Sequence, residues 1–479
     1  MKPSLLRAAT SLWLILLVAL GLRLAYLRYE LHVIPRQALE AVPFLYEPGD
    51  IAYSLATGSG FSSPFRVQTG PTAWTTPAYP LLLAGVFDIF GTFTYSAFLA
   101  AVLLNILFST ATCVPVFCAG KRIAGIGLGA GAAWLWAIFP NAVIIPFQWI
   151  WDTSLSGLLA AALVWATLAV ADSKRTRDWA TYGLLWGAAL MTNGTLLAGL
   201  PLMFGWMIFR RYEAGDRSWV KRAALSVVMV ILCCVPWTVR NAVVFHAFVP
   251  LRSPLWLQLW LGNNDAYRDV FPGWLHPIDS VSERAKYERM GEIAYMQEKK
   301  RETVDWVEKH PGRALQLMRQ RFVATWMGTP HPWRDFWREQ DPLVRIVFVA
   351  NFFAAFAGLA GLARMGLDPG LRRYFVPVAT LPVLYPFAFY LSQALLRYRY
   401  PVDPIMMLLV AVGAGGVWRY SARCGRRKIV EVHTLWDKDH LKTGRVGYPR
   451  ICCNERLRSG WFGEAFGEYR GRDGQGRHV

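Results

Sequence analysis

The sequence predicts an all-α polytopic membrane protein of about ten transmembrane helices, with interfacial helices in its first outer loop and a small helical outer domain. Three observations carry this expectation. Hydrophobic residues make up 54% of the 479, and they arrive in runs long enough to cross a bilayer. Charged residues gather in the breaks between those runs. Five short breaks, "GKRIAG", "DSKRTRD", "FRRYEAGDRSWVKRA", "RMGLDPGLRR" and "RYSARCGRRK", are rich in Lys and Arg and fall on one face, which marks that face as cytoplasmic.

The first run, "AATSLWLILLVALGLRLAYL", is too long for a signal-peptide core and lacks a small-residue cleavage site, so it predicts a retained helix. Residues 28–95 follow as an outer loop. Within it, "FLYEPGDIAYSLATGSGF" at 44–61 reads as a short helix. Pro48 suits a first turn and Gly58 stands just past the end. The Pro-rich stretch "TPAYPLLLAGVFDIFG" at 76–91 contains Asp88 and is short, so it reads as re-entrant or interfacial. Further spans are expected near 96–118, 126–143, 153–171, 178–193, 195–210, 222–239, 343–363, 374–391 and 402–418.

This count places both termini inside. It divides the chain into an N-terminal transmembrane domain (1–239, holding the outer loop 28–95), an outer domain (240–342), C-terminal transmembrane helices (343–418) and a basic cytoplasmic tail (419–479). The tail lacks periodicity and is expected to be disordered. Within 240–342, the charged segment from Glu283 to Lys309 reads as a solvated helix broken at "HPG". A second helix then aligns Leu315, Met318, Phe322 and Trp326 on one face, which packs on the membrane domain or dips into the interface.

The net charge of +19 lies largely in the cytoplasmic breaks and the tail, where anionic headgroups attract it. No nucleic-acid partner is implied. Seven cysteines fall in spans or on the cytoplasmic side without CxxC spacing, so neither structural disulfides nor a zinc knuckle is expected. No GxGxxG or Walker sequence indicates a soluble nucleotide donor. His276 and His331 stand alone in sequence and read as ordinary loop residues. Asn193, in the triplet "NGT", lies in an apolar segment, and its glycosylation pattern reads as coincidence.

The residues that can carry chemistry lie at outer helix ends. Glu47 sits at the cap of the 48–58 helix and Asp50 one turn on. Carboxylates there offset the helix dipole by about 0.3–1 kcal/mol each, or one of them takes a proton from an acceptor. Asp152 follows the aromatic cluster "FQWIW" at the start of a span, where it needs polar company, either as a helix cap or as an acid of a pocket. Arg240 with Asn241 ends a span, and Arg397 and Arg399 flank Tyr398. A guanidinium can grip phosphate oxygens in pairs, though membrane-edge arginines also snorkel to headgroups. In "RYRYP" an extended backbone would point Arg397 and Arg399 the same way. Arg23, near the outer end of the first helix, is expected to pair with a loop acid. Asn263 and Asn264 can bond a sugar or make a turn.

The segments "YEPGDIAYSLATGSGF", "IWDTSLSGLL", "LMTNGTLLAGLP", "VPWTVRNAVVF", "LWLGNN", "GEIAYMQEKK" and "LLRYRYPVDP", in this order, resemble the bacterial integral-membrane glycosyltransferases of the C-type superfamily. The resemblance is to the branch related to dolichyl-phosphate-mannose protein mannosyltransferases and the lipid A aminoarabinose transferase. That resemblance implies an inverting transferase in a bacterial-type cytoplasmic (inner) membrane, with its site facing outside. It would move a sugar from a polyprenyl-phosphate donor to a protein, lipid or glycan acceptor, with membrane lipids as further partners. The essential acid maps onto Glu47, with Asp50 second, and the arginine set against the carrier phosphate maps onto Arg397 and Arg399 before Arg240. Asp152 would line the donor pocket or help hold a divalent cation; no other cofactor is implied. Relatives carry Glu where Gln258 stands, which removes one acid. A transporter or lipid flippase is the alternative reading, and a non-catalytic scaffold a third.

Overall fold

Apolar sequence becomes helix throughout. In the computed structural model, residues 9–415 are described apart from 41–43, 45, 216–217 and 269–271. The expected tail, with Cys424, Cys452 and Cys453, lies outside the described residues. Among the described residues no strand forms beyond an isolated bridge between Ser62 and Pro71.

Among the described residues, five helices are long and apolar enough to cross a bilayer: Leu12–Val33, Tyr95–Ala124, Thr153–Val170, Trp219–Phe245 and Pro342–Leu367. A sixth results if Ile126–Ile138 and Pro140–Gln148, bent by 46°, count as one span. The expected ten is therefore not reached by length and composition, because several apolar runs are cut. Thr176–Thr192 ends at Asn193, and a 3-10 turn, Gly194–Gly199, intervenes before Leu200–Glu213. Phe375–Leu384 and Phe387–Leu391 are separated beside Pro386, which has no N–H to continue the ladder. The stretch 76–91 forms Ala78–Phe90, an apolar helix shorter than a span.

Close packing comes from small residues. Gly183 and Gly187, four apart on Thr176–Thr192, lie directly against Ser226 and Cys233 of Trp219–Phe245, where any side chain would collide. Such spacing lets helix backbones approach within a bilayer. Buried polar groups link the helices further. Arg23 donates to the carbonyls of Ala19 (2.8 Å) and Ala137 (3.1 Å) and to Ser109 Oγ (2.9 Å), so it serves the interior and not a loop acid.

Outside the spans, Pro311–Met327 gives Leu317 to a small core with Tyr267 and Trp306, whereas Leu255–Gly262, Val281–Met290 and Glu292–Lys309 share a separate apolar core with the segment 51–74. Ile51, Phe65 and Trp74 pack there with Leu257, Tyr287 and Tyr295. The buried Glu292 carboxylate ties the two together by accepting from Thr72 Oγ1 (2.5 Å), Ala73 N (2.8 Å) and Tyr287 Oη (2.7 Å). The charged segment breaks at Gly291 as well as after Lys309. In Pro311–Met327 the inward face is Leu317, Arg321 and Thr325, while Leu315 and Phe322 are exposed. Of the expected stripe, Trp326 packs against the membrane-domain core, while Leu315 and Phe322 stay exposed. Arg321 rotates the helix by donating to the carbonyls of Tyr390 (2.7 Å) and Gly262 and to Asn263 Oδ1 (3.1 Å).

Candidate active site

Glu47 opens the helix Glu47–Ala56, preceded by extended Tyr46, with Pro48 in the first turn. Gly49 lies against the Phe44 carbonyl, where a side chain has no room, and this contact seats the helix start. Glu47 and Asp50 are both buried, but they point to different places.

Glu47 lines a cavity of about 310 Å³ together with Trp74, Asp152, His276, Arg397 and Tyr398. Burial pushes its carboxyl above the usual range, opposed by its own backbone N–H, the Arg397 charge and a hydrogen bond from the Trp74 side chain. Its Oε1 lies 3.4 Å from His276 Nε2. Asp50 does not line the cavity. Its Oδ2 accepts from the Arg66 backbone N–H (3.1 Å), and burial raises its pKa to about 7, with Arg66 opposing and Glu47 adding to the rise. Both acids lie in the first turn of the helix, as expected, close enough for the Glu47 charge to act on Asp50, but Glu47 alone of the two lines the cavity.

A stability prediction follows from Asp50. Its pKa is higher in the folded state than its ordinary 3.8, so the native state loses stability as pH rises from there towards about 7. Asp50→Asn removes that loss. We expect it to stabilise the protein by on the order of 1–3 kcal/mol at about pH 8 and by nothing near pH 4, at about 1.4 kcal/mol per unit. Thermal unfolding in detergent at the two pH values measures it, and an equal effect at both would contradict the assignment.

Arg397 sits in the one-turn helix Leu396–Arg399. Its guanidinium is stacked between Trp149 (4.1 Å) and Trp151 (4.2 Å), and Nη2 donates to Tyr398 Oη (3.2 Å). Among the described residues, nothing accepts from its buried Nε and Nη1. Tyr398 is in turn stacked on Phe389, with ring centroids 4.8 Å apart. The cavity thus holds a rigid cation with two unused donors.

Asp152 occupies the N-cap of Thr153–Val170 without capping through its side chain. Its Oδ2 accepts from Ser156 Oγ (2.8 Å), and the charges of Arg252 and Arg397 face it. Asn193, exposed to the cavity by the helix break, donates to Ser156 Oγ (3.3 Å) and Tyr385 Oη (3.1 Å). Gln258 also lines the cavity and accepts from Gln393.

The remaining candidates lie elsewhere. Arg399 is buried in an ion pair with Asp403 (2.6 Å) and donates to the Trp326 carbonyl (2.8 Å) and Asn351. Residues 397 and 399 are helical rather than extended, so they point about 200° apart. Arg240 donates to the carbonyls of Phe61 and Thr72 (2.7 Å each) and packs against the Phe61, Trp237 and Phe245 rings. It staples the segment 61–72. Asn241 donates to the Val249 carbonyl (3.0 Å). Asn263 donates to Leu259 and Leu391, and Asn264 makes a turn by accepting from the backbone of Ala266 and Tyr267.

Sequence reasoning missed His276, Arg252 and Trp74. Nothing in their spacing marks them, because each joins Glu47 or Asp152 through the tertiary fold. A visible signal existed for Trp149 and Trp151 in the aromatic cluster before Asp152.

A divalent cation needs several converging donors. Among the described residues, no group of three or more His, Cys, Asp and Glu side chains converges in this way. Glu47 and His276 form a pair, but His276 Nδ1 faces the Ile278 N–H (3.2 Å). A neutral imidazole accepting at Nδ1 carries its proton on Nε2, whereas a metal ligand through Nε2 would donate from Nδ1. The residues present do not fit a cation at this point.

No protein family and no curated protein matches the chain by sequence. Solved structures do resemble it. The Archaeoglobus fulgidus oligosaccharyltransferase in complex with Zn and sulfate aligns with a TM-score of 0.50 at 14% identity, covering 92% of this chain and 54% of that one. The same enzyme tethered to an acceptor peptide containing the NVT sequon gives 0.50 at 11% identity, covering 85% and 50%. ArnT from Cupriavidus metallidurans bound to undecaprenyl phosphate gives 0.37 at 13% identity over 84% and 77%, a score too low to weigh. The chain spans about half the length of the oligosaccharyltransferase. It shares the fold of that oligosaccharyltransferase, and at these identities the likeness is one of fold.

Proposed function

We propose that the chain is an inverting glycosyltransferase that moves a sugar from a polyprenyl-phosphate carrier to a lipid, glycan or protein acceptor. One observation carries the reading: a single cavity is lined both by a buried carboxylate, Glu47, and by an arginine with two unused N–H groups, Arg397. A transfer from a lipid phosphate needs those two functions. The acceptor hydroxyl or amine must lose a proton, and the departing phosphate must be stabilised as charge develops on it.

In this reading the donor phosphate lies against Arg397 Nε and Nη1, and the aromatic walls Trp149 and Trp151 keep the guanidinium in place. Glu47 takes the proton of the acceptor as the acceptor atom attacks the anomeric carbon from the side opposite the phosphate. The bond between that carbon and the phosphate oxygen breaks, and its electron pair leaves with polyprenyl phosphate. Configuration is inverted because the reaction is a single displacement. Asp152, Asn193 and Tyr398 are the groups on the wall that can bond sugar hydroxyls.

The membrane placement belongs to the same proposal. Thr153–Val170 starts at the cavity and ends beside Lys174 and Arg175, and Thr176–Thr192 starts among those basic residues and returns to the cavity at Asn193. A basic connector opposite the site supports an outward-facing site in a bacterial-type cytoplasmic membrane. The test is conversion of a labelled polyprenyl-phosphate sugar by the purified chain in vesicles with added membrane acceptors. Release of polyprenyl phosphate with sugar on an acceptor is the expected result. Donor that crosses the bilayer with its sugar still attached would identify a flippase instead.

A further inference from the structure

We propose that His276 is the positioning residue of Glu47: the imidazole donates from Nε2 to Glu47 Oε1 and so fixes which lone pair of the carboxylate meets the acceptor. This rests on the reading of Glu47 as the base. It assigns a task to a histidine that its sequence context left without one.

The mount comes first. His276 precedes a tight turn in which its carbonyl accepts from Asp279 N (3.0 Å) and Ser280 N (2.9 Å). Ser280 then caps the helix Val281–Met290 by accepting from Glu283 N. The ring is buried and meets Phe65 and Trp74 edge-on, at centroid distances of 6.1 and 5.6 Å. Its plane is thereby held. The Ile278 N–H donates to Nδ1 at 3.2 Å, which leaves Nε2 as the protonated nitrogen of a neutral ring. That nitrogen lies 3.4 Å from Glu47 Oε1, slightly beyond the 2.7–3.2 Å typical of a formed N–H···O bond. Catalytic contacts commonly tighten once substrate is bound.

The charge state agrees. Burial holds His276 down at about 4, with Asp279 opposing and Arg397 reinforcing, so the ring is neutral wherever Glu47 is ionised and works as a donor, not as a counter-ion. The groups facing Glu47 are Arg397 and Asp279, the Trp74 side chain, and Asp50 on its own helix. Trp74 is the neutral donor among these, and His276 Nε2 is placed to be a second. They arrive from the first outer loop and from the outer domain, so the carboxylate is oriented by two segments far apart in sequence.

A hydrogen bond to the ionised form favours that form. Removing the His276 donor should therefore raise the Glu47 pKa and shift the acidic limb of turnover upward. The experiment is the pH dependence of labelled-donor turnover by the full chain in vesicles, for wild type, His276→Ala and His276→Gln. A glutamine amide can donate from nearly the position of Nε2. We expect His276→Ala to lose ~10–100-fold in kcat near neutral pH, with the limb displaced by about one unit and donor KM changed less than ~3-fold. We expect His276→Gln to restore the limb and most of the rate.

An alanine variant with the wild-type limb would overturn the proposal, as would a folded glutamine variant as slow as the alanine one, which would show that the imidazole itself is required. If His276→Ala does not fold, the glutamine profile decides alone and must retain the wild-type limb. Failure of the underlying reading looks different: an active Glu47→Gln protein removes the base, whereas an inactive one with an unmoved His276→Ala limb removes only the positioning role.

Discussion

Glu47→Gln is expected to lower turnover of a polyprenyl-phosphate sugar by ~10²–10⁴-fold, the range typical of a lost general base. Donor binding should change little. Glutamine keeps the shape of the side chain and an oxygen that can accept from Trp74 and His276, so the cavity should persist and only the capacity to take a proton disappears. In the wild-type protein the rate should fall on acidification with a limb above the ordinary carboxylate range, because burial raises the Glu47 pKa and the ionised form is the active one. That limb should be absent from the residual rate of the variant. Asp50→Asn is the matched control: it changes the neighbouring acid in the same helix, whose carboxylate bonds Arg66 outside the cavity, and turnover should stay within ~3-fold of wild type.

The second large effect belongs to Arg397. Arg397→Ala removes both free donors and the cation between Trp149 and Trp151, and we expect kcat/KM for the donor to fall by ~10²–10³-fold, as for the loss of one strong transition-state donor. Arg397→Lys tests why arginine stands there. Lysine keeps the charge but neither the planar fork nor the stack against the two indoles, so ~10-fold or more of the loss should remain. Full activity in the lysine variant would mean that charge alone matters and that the aromatic sandwich has no part in holding the phosphate.

Much of this architecture was legible in the sequence, for physical reasons that also explain what was not. Apolar runs and basic breaks report a membrane chain because the bilayer imposes length and charge rules residue by residue. The number of continuous spans is less visible, since hydropathy averages over a break such as the one at Phe139 or at Pro386, where the helix ladder is interrupted. Glu47 could be placed because Pro48 and Gly58 frame a helix locally. The same reasoning put Asp50 in the first turn, but it fixes the helix and not which side chain meets the cavity.

The arginines divide in the same way. The alternation in "RYRYP" suggested one shared direction for Arg397 and Arg399, and a single helical turn set them apart. Arg399 is held by Asp403 and Asn351, Arg240 by the carbonyls of Phe61 and Thr72. Such partners come from distant segments, so sequence position at a membrane edge could not distinguish a structural guanidinium from one with free donors. His276 was overlooked for the converse reason: isolated along the chain, it acquires Glu47 as a neighbour only through the tertiary fold.

The most direct measurement is a structure of the full chain in lipid nanodiscs with polyprenyl phosphate at saturation. Phosphate oxygens should lie within about 3 Å of Arg397 Nε and Nη1, in the cavity that Glu47 lines, with the prenyl chain leading into the bilayer. A phosphate seated at Arg240, or anywhere outside that cavity while Arg397 keeps its two donors unused, would contradict the account.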